Sequence, residues 1–290
     1  MSWRTVVVSH NAKLDYENGY LVVRGEETKR IFINEIELLM IENTAVAMTG
    51  YLLAELVRNK VKVVFCDQRR NPCAELMPYY GSHDTSAKVR SQIQWSEDIK
   101  SAVWTEIVSE KIRKQSEVLL RHKLSEGDKL QGYLAEMTLG DTTNREGHAA
   151  KVYFNALFGK KFTRAEDSPI NAALNYGYSL ILSLFTREIV ANGYLTQLGL
   201  FHDNMFNPFN LASDLMEPFR PLVDECVITH QPDKFETDEK HQMLALLEQE
   251  VSINGRKEYI GNAVKIYTHS VFDALEDKDV SLIRFYQNEL

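Results

Sequence analysis

Hydrophobic and polar positions follow two different rhythms along the chain. In residues 5–8, 14–23, 31–42 and 61–66 the apolar residues form short β-branched runs, in part alternating with polar ones. That is the period of a strand. Glu17-Asn18-Gly19 interrupts the second run, and Asn-Gly between apolar runs predicts a tight hairpin. IFINEIELLMIE (31–42) predicts one or two strands, residues 47–59 repeat at helical spacing, and residues 75–79 predict a last short strand. The first eighty residues therefore predict a small β domain carrying one helix.

Beyond Gly81 the period becomes helical. Residues 84–124 predict one long helix or two joined ones, and residues 144–158 another. Ser168-Pro169 is a cap followed by proline at the first helical position, and Asn192-Gly193 is a stop, so a helix spans 168–191. Further helices are predicted at 210–226, 238–250 and 256–275. The fold class is α+β and multidomain: a β-rich domain over 1–80, then an all-α domain over 81–290. The boundary falls near residues 79–84, where Pro78 and Gly81 punctuate the chain. No internal repeat or low-complexity tract is present.

The composition narrows the class. An apolar content of 44% over 290 residues suits one large domain or two smaller ones. A folded chain of this size buries roughly 75% of its unfolded surface and needs no covalent staples. Three cysteines (Cys66, Cys73, Cys226) without a CxxC pair point away from a disulfide framework and from a zinc site, and buried thiols are expected. A reducing cytoplasm fits. The start MSWRTVVVSHNAKLDY lacks the apolar run of a signal peptide, and no stretch reaches the ~18 apolar residues of a membrane helix.

The net charge of −8 argues weakly against nucleic acid, but its distribution changes that reading. Basic residues gather in three groups: Arg58, Lys60, Lys62, Arg69 and Arg70; Lys111, Arg113, Lys114, Arg121 and Lys123; Arg145, Lys151, Lys160, Lys161 and Arg164. Each group alone reads as a solvated face. Folding could gather them into one patch.

The chemistry concentrates in FNLASDLMEPFRPLVD (209–224). Asp214 and Glu217 stand i, i+3 and share one helix face, where like charges repel mildly. A hard divalent cation would justify the pair; solvent, or pairing with Arg220, is the plainer alternative. Pro218 crowds the carbonyl of Asp214 and predicts a kink. Thr143-Asn144-Arg145-Glu146 has capping-box spacing with Glu146 at the third helical position. Helical steps from Glu146 reach Ala149, Ala150, Tyr153 and Leu157, which aim it at the core. An inward carboxylate is costly unless paired, protonated or bound to metal. His202, in GLFHDN, is a loop histidine near the two acids in sequence.

Four ordered blocks, NREGHAAKVYF, INAALNYGYSLI, GLFHDN and FNLASDLMEPFRPLVD, closely resemble the CRISPR-associated integrase/endonuclease (Cas1) family, over most of the chain. The start MSWRTVVV looks like the subtype from type II systems with a single large effector nuclease. The resemblance implies an N-terminal β-sandwich-like domain that dimerises and a helical catalytic domain. It implies a Mg²⁺ or Mn²⁺ site on Glu146, His202 and Glu217, with Asp214 matching an acid that helps in some members. Many members carry a longer GL-x-P-x-x-G-x-x-H stretch; Gly199-Leu200-Phe201-His202 is shorter. The implied activity is integration: a homodimer, paired with a second around a dimer of the small Cas2 partner, joins the 3′ ends of short duplex DNA into a repeat array. A ring-shaped accessory protein and the effector nuclease are implied partners, and no membrane is.

The residues agree with that chemistry on their own terms. No GxxxxGK[ST] phosphate loop occurs, and exchanging one phosphodiester for another needs no ATP. It needs alignment and charge neutralisation at phosphate oxygens. A histidine ligand tilts the metal preference toward Mn²⁺, or His202 moves a proton. Backbone contacts with little sequence readout are expected from Arg58, Lys60, Arg69, Arg70, Arg145, Lys151, Lys160, Lys161, Arg164 and Arg220. Rival readings are a metal-dependent DNA nuclease, a DNA-binding scaffold without chemistry, and a hydrolase of a small phosphorylated substrate.

Overall fold

A computed structural model describes residues 4–78 and 81–288. The N-terminal region holds two four-stranded sheets. Strands β1 (Arg4–Val8), β5 (Ile36–Ile41), β7 (Lys62–Cys66) and β8 (Pro72–Leu76) lie side by side in that order, parallel except for β8. The second sheet has the order β4 (Thr28–Phe32), β3 (Tyr20–Arg24), β2 (Lys13–Glu17), β6 (Ala47–Met48). The β2–β3 turn is the predicted Asn18-Gly19 pair, both residues at positive φ. Helix α1 (Gly50–Arg58), capped by the Thr49 hydroxyl, closes a core of Val6, Leu14, Leu21, Leu39, Leu52 and Val63. The final strand lies a few residues earlier than residues 75–79. Tyr79 and Tyr80, at the expected domain boundary, lie outside the described residues.

β5 is buried along its whole length. Leu39 and Ile41 face the sandwich core, while Leu38 and Met40 join the helical core with Val64 and Cys66. Burial on both faces explains why IELLMI reads as a near-continuous apolar run. The one charge in it, Glu37, is met by Arg187 of the helical region at 3.1 Å. Gly81 passes so close to that region that a Cβ would lie 1.5 Å from the Val190 carbonyl oxygen.

The helical region is built on α3 (Glu97–Arg121) and α6 (Pro169–Ala191). The predicted 84–124 stretch is two helices, α2 (Thr85–Ile93) and α3, the second capped by Ser96. A helix the pattern did not reveal, α4 (Glu126–Ala135), follows; α5 (Arg145–Phe158) and α6 match their predictions. The predicted 210–226 helix is three pieces: α7 (Asn210–Leu215), a 3₁₀ turn at Glu217–Phe219, and α8 (Arg220–His230). Pro218 and Pro221 are the reason, since neither has an N–H for a continuous ladder. After α9 (Thr237–Ala245), the expected all-α character is interrupted. Glu250–Ile253 (β9) and Arg256–Tyr259 (β10) form a hairpin through Asn254-Gly255, both at positive φ, before α10 (Ile260–Asp277). The Asn-Gly turn signal is as clear there as at residues 18–19.

Candidate active site

Three segments meet beside α3. The first is the start of α5. Asn144, in the left-handed region (φ 53°), caps it by accepting from Gly147 N, and both Asp141 oxygens accept from Arg145 N and Glu146 N. Glu146 is therefore the second helical residue and not the third, and the capping box does not form. Its carboxylate turns instead to Lys111 of α3, with Oε1 2.6 Å from Nζ.

The second segment is the break between α7 and α8. Glu217 is 3% exposed. Its Oε1 accepts from Arg220 Nε at 2.8 Å, and its Oε2 lies 2.5 Å from Lys111 Nζ. That second contact is a close ion pair, and Lys111 is the one partner the structure gives Oε2 among the described residues. Burial alone would raise the carboxyl; the Arg220 guanidinium and the Lys111 ammonium overcome it and hold Glu217 well below the usual range. Lys111 is likewise opposed by burial and held charged by Glu217 and Glu146. One buried cation thus bridges carboxylates from two separate helical segments. The pairing with Arg220 weighed as the plainer alternative also exists.

The third segment is the loop at residues 199–204. Asp214 is fully buried and organises it: Oδ2 accepts from Leu200 N (2.6 Å) and Phe201 N (3.2 Å), while Oδ1 accepts from His202 N (3.1 Å) and contacts His202 Nδ1 (2.5 Å). The expectation of Asp214 as a further ligand meets a different arrangement, since each oxygen already serves two donors. The hydrogen bond to Asp214 raises the His202 pKa above its ordinary value, with burial opposing and the charges of Glu217 and Glu146 adding. An imidazole that donates through Nδ1 presents Nε2 as its lone-pair nitrogen. Trp104 of α3 stands edge-on to His202 and stacks on Phe201, centroids 4.6 Å apart. Gly199 is required by the loop: a Cβ would sit 2.2 Å from the His202 carbonyl oxygen and 2.7 Å from Asp214 Oδ2.

Behind Glu217 lies a cavity of about 150 Å³, lined by Lys111, Gln115, Arg164, Tyr178 and Asp224 among others. Arg164 and Arg220 both lie over the Tyr178 ring, at 5.4 and 4.7 Å from its centroid. Arg164 is braced by Asn171 and by Asn175. Asp224 accepts from the Tyr178 hydroxyl; burial pushes its carboxyl up to about 6 against that hydrogen bond.

The remaining basic residues are scattered. Arg145 pairs with Glu136, Arg58 with Glu55, and Arg70 with Glu42. Lys60 gives its carbonyl to Arg187 and Arg69 gives its own to Lys240. Lys151, Lys160 and Lys161 are exposed, but Lys111 and Lys114 are buried and paired, so that group is not a solvated face. Of the three free cysteines Cys73 is exposed, unlike the expected buried thiols. Sequence reasoning missed Lys111, Gln115, Asp141 and Asp224. The donors available to a metal ion are the carboxylates of Glu146 and Glu217 and Nε2 of His202. Among the described residues no three His, Cys, Asp or Glu side chains converge at ligand distance, and Lys111 contacts both glutamates.

Known proteins are similar to this chain in sequence and in fold. A family model described as CRISPR associated protein Cas1 matches residues 5–261. A CRISPR-associated endonuclease Cas1 from Neisseria meningitidis serogroup C (strain 8013) is 36% identical over 231 residues, 79% of this chain and 76% of the relative. Among solved structures, a casposase bound to integration product superposes with a TM-score of 0.77 at 17% identity, over 96% of this chain and 91% of the other. A chain of a Cas6-RT-Cas1–Cas2 complex superposes with a TM-score of 0.74 at 18% identity, over 99% of this chain and 36% of the other. At those identities the two structures speak for the fold, whereas the family model and the Neisseria relative speak for descent. The protein is a member of the Cas1 family.

Proposed function

We propose that the protein joins the 3′-OH ends of short duplex DNA into the repeat of a CRISPR array, as a divalent-metal-dependent strand transferase. The observation that carries this reading is the convergence of half-buried Glu146 and buried Glu217 on one buried cation near His202. Two carboxylates and an imidazole nitrogen are a donor set that suits Mn²⁺ or Mg²⁺, and the Lys111 ammonium between them marks where a cation is stabilised. Glu146, Glu217 and His202 Nε2 would hold the ion. When bound, it polarises the scissile phosphate and lowers the pKa of the attacking hydroxyl. Asp214 fixes the His202 ring and its tautomer through the hydrogen bonds described above. Arg164 lies beside the same site to hold backbone phosphate, with Lys151, Lys160 and Lys161 outside it. Nothing in the reaction requires ATP, since one phosphodiester replaces another.

The partner reading follows the family. The similarity to a chain of a Cas1–Cas2 complex supports a Cas2 partner for this chain, and that to a casposase bound to integration product supports DNA as its substrate. The homodimer through the N-terminal β domain, the assembly of two dimers on a Cas2 dimer, the type II setting with its accessory protein and effector nuclease, and a cytoplasmic location belong to the same proposal. No helix among the described residues is long and apolar enough to cross a membrane. A second reading, hydrolysis of DNA with water as nucleophile, draws on the Neisseria relative's name of endonuclease.

One experiment separates them. Labelled duplex with free 3′-OH ends is mixed with a supercoiled plasmid carrying a leader and repeat, in Mn²⁺ or Mg²⁺, with and without Cas2. Label covalently joined to plasmid, and lost with EDTA or Glu217→Ala, is the expected result. Shortened label without joining favours the nuclease. DNA binding with neither product, Cas2 present, overturns both.

A further inference from the structure

We infer that Lys111 is a two-position lysine that competes with the divalent ion for the space between Glu146 and Glu217 and, once displaced, is received by Gln115. The inference rests on the metal-site reading above. Lys111 Nζ is 2.6 Å from Glu146 Oε1 and 2.5 Å from Glu217 Oε2. An ion held by Glu146 and Glu217, at the about 2.1 Å that Mg²⁺ demands, would need nearly the same space. Ammonium and ion cannot both occupy it, and two cations at that separation repel strongly in a buried site. The carboxylates also need the lysine when no ion is present. Arg220 serves only Glu217 Oε1, so without Lys111 the Glu217 Oε2 and Glu146 charges would face each other with no cation between them.

The structure offers a place for the displaced group. Gln115 stands one helical turn from Lys111 on α3, and the two side chains line the same cavity of about 150 Å³. Gln115 is 2% exposed and its Oε1 has no hydrogen-bond partner. A buried acceptor without a donor is costly, and an ammonium with three rotatable donors on a flexible stem supplies what it lacks. The Asp224 carboxylate lines the same cavity. Arg220 is a poorer candidate for such a movement, being held by Glu217 and stacked over Tyr178. In its second position Lys111 would stay on the wall of the cavity that Arg164 also lines.

The test is binding and does not use turnover. Metal-free full-length protein is titrated with Mn²⁺ by calorimetry, and the thermal midpoint is followed in EDTA and in Mn²⁺. Lys111→Met is expected to bind Mn²⁺ on the order of tenfold tighter than wild type, within the 5- to 150-fold range of coupled sites. Its midpoint in EDTA should fall and should recover more on adding Mn²⁺ than that of wild type. Gln115→Leu removes the receiving oxygen and is expected to bind Mn²⁺ several-fold more weakly, with no loss of midpoint in EDTA. Equal or weaker binding by Lys111→Met overturns the competition, and unchanged binding by Gln115→Leu overturns the second position. If Lys111→Met does not fold, Lys111→Gln and the Gln115 variant carry the same test. Absence of saturable Mn²⁺ binding in wild type would instead sink the metal-site reading itself.

Discussion

Asp214→Asn is the most informative single change in the His202 loop. It keeps the shape of the side chain and replaces one acceptor oxygen by a donor. The two oxygens of Asp214 are used in pairs: Oδ2 by Leu200 N and Phe201 N, Oδ1 by His202 N and His202 Nδ1. An asparagine serves one pair with its oxygen and turns its NH₂ toward the other. If the NH₂ faces Leu200 N and Phe201 N, two N–H groups lose their acceptor, and Leu200 is buried. If it faces His202, the ring adopts the other tautomer with Nδ1 accepting, and only the His202 backbone N–H is orphaned. The second orientation costs less. One orphaned donor at about 1–3 kcal/mol, together with the lost charge assistance of the others, gives a destabilisation of about 2–4 kcal/mol. It also moves the ring proton to Nε2, the nitrogen proposed above as a metal ligand. Urea denaturation at neutral pH measures the first effect, and long-range ¹⁵N–¹H correlation of the histidine ring reads the second. A loss below about 1 kcal/mol, with Nδ1 still protonated, would refute the view that Asp214 builds this loop and sets the tautomer.

Other changes test neighbouring parts of the argument. Burial pushes the Asp224 carboxyl up to about 6 from its ordinary 3.8, so the stability it contributes is full below the lower value and is lost as pH rises through the higher. That gap amounts to about 3 kcal/mol; Asp224→Asn should flatten the fall in stability between pH 4 and 7 and be the more stable protein at pH 7.5, and an unchanged denaturation profile would count against it. Gly199→Ala forces a methyl onto the His202 carbonyl and Asp214, so strand transfer should drop at least about tenfold through misplacement of the ring while circular dichroism stays native; full activity would show the loop to be adaptable. The bidentate Arg121–Glu225 pair, 2.7 and 2.8 Å, is part-exposed, and Arg121→Met should cost under about 1 kcal/mol in denaturation. A larger loss would mean that the pair does more than bridge two helices at the surface.

The parts of the fold set by local rules were legible. Asn18-Gly19, Ser168-Pro169 and Asn192-Gly193 placed a turn and both ends of α6, because each is a backbone requirement met by a specific residue type. What failed was of two kinds. Residues 256–259 were given to a helix because their charged pattern carries no apolar alternation, although Asn254-Gly255 marked the hairpin; tertiary pairing with β9 decided it. Lys111 was read as part of a solvated basic face and Gln115 was not singled out, yet Trp104, Val108, Lys111, Gln115 and Val118 follow one another at helical steps along the buried side of α3. A lysine on an apolar stripe is the same signal that singled out Glu146. The two signals belong together, since a buried lysine needs a carboxylate and a buried carboxylate needs a cation.

The acid pair in FNLASDLMEPFRPLVD shows how one spacing rule can meet two different surroundings. On an uninterrupted helix, residues i and i+3 share a face, so Asp214 and Glu217 read as two ligands to one ion. Pro218 and Pro221 prevent that helix from continuing, and the 3₁₀ turn at Glu217–Phe219 resets the direction in which Glu217 leaves the backbone. Asp214 stays on α7 and faces the loop, where its oxygens are used up by three backbone N–H groups and an imidazole. Glu217 turns the other way, toward Lys111 and Arg220. The prolines thus separate two carboxylates that would otherwise repel each other. One becomes the support that fixes the histidine, and the other turns an oxygen to the Lys111 ammonium.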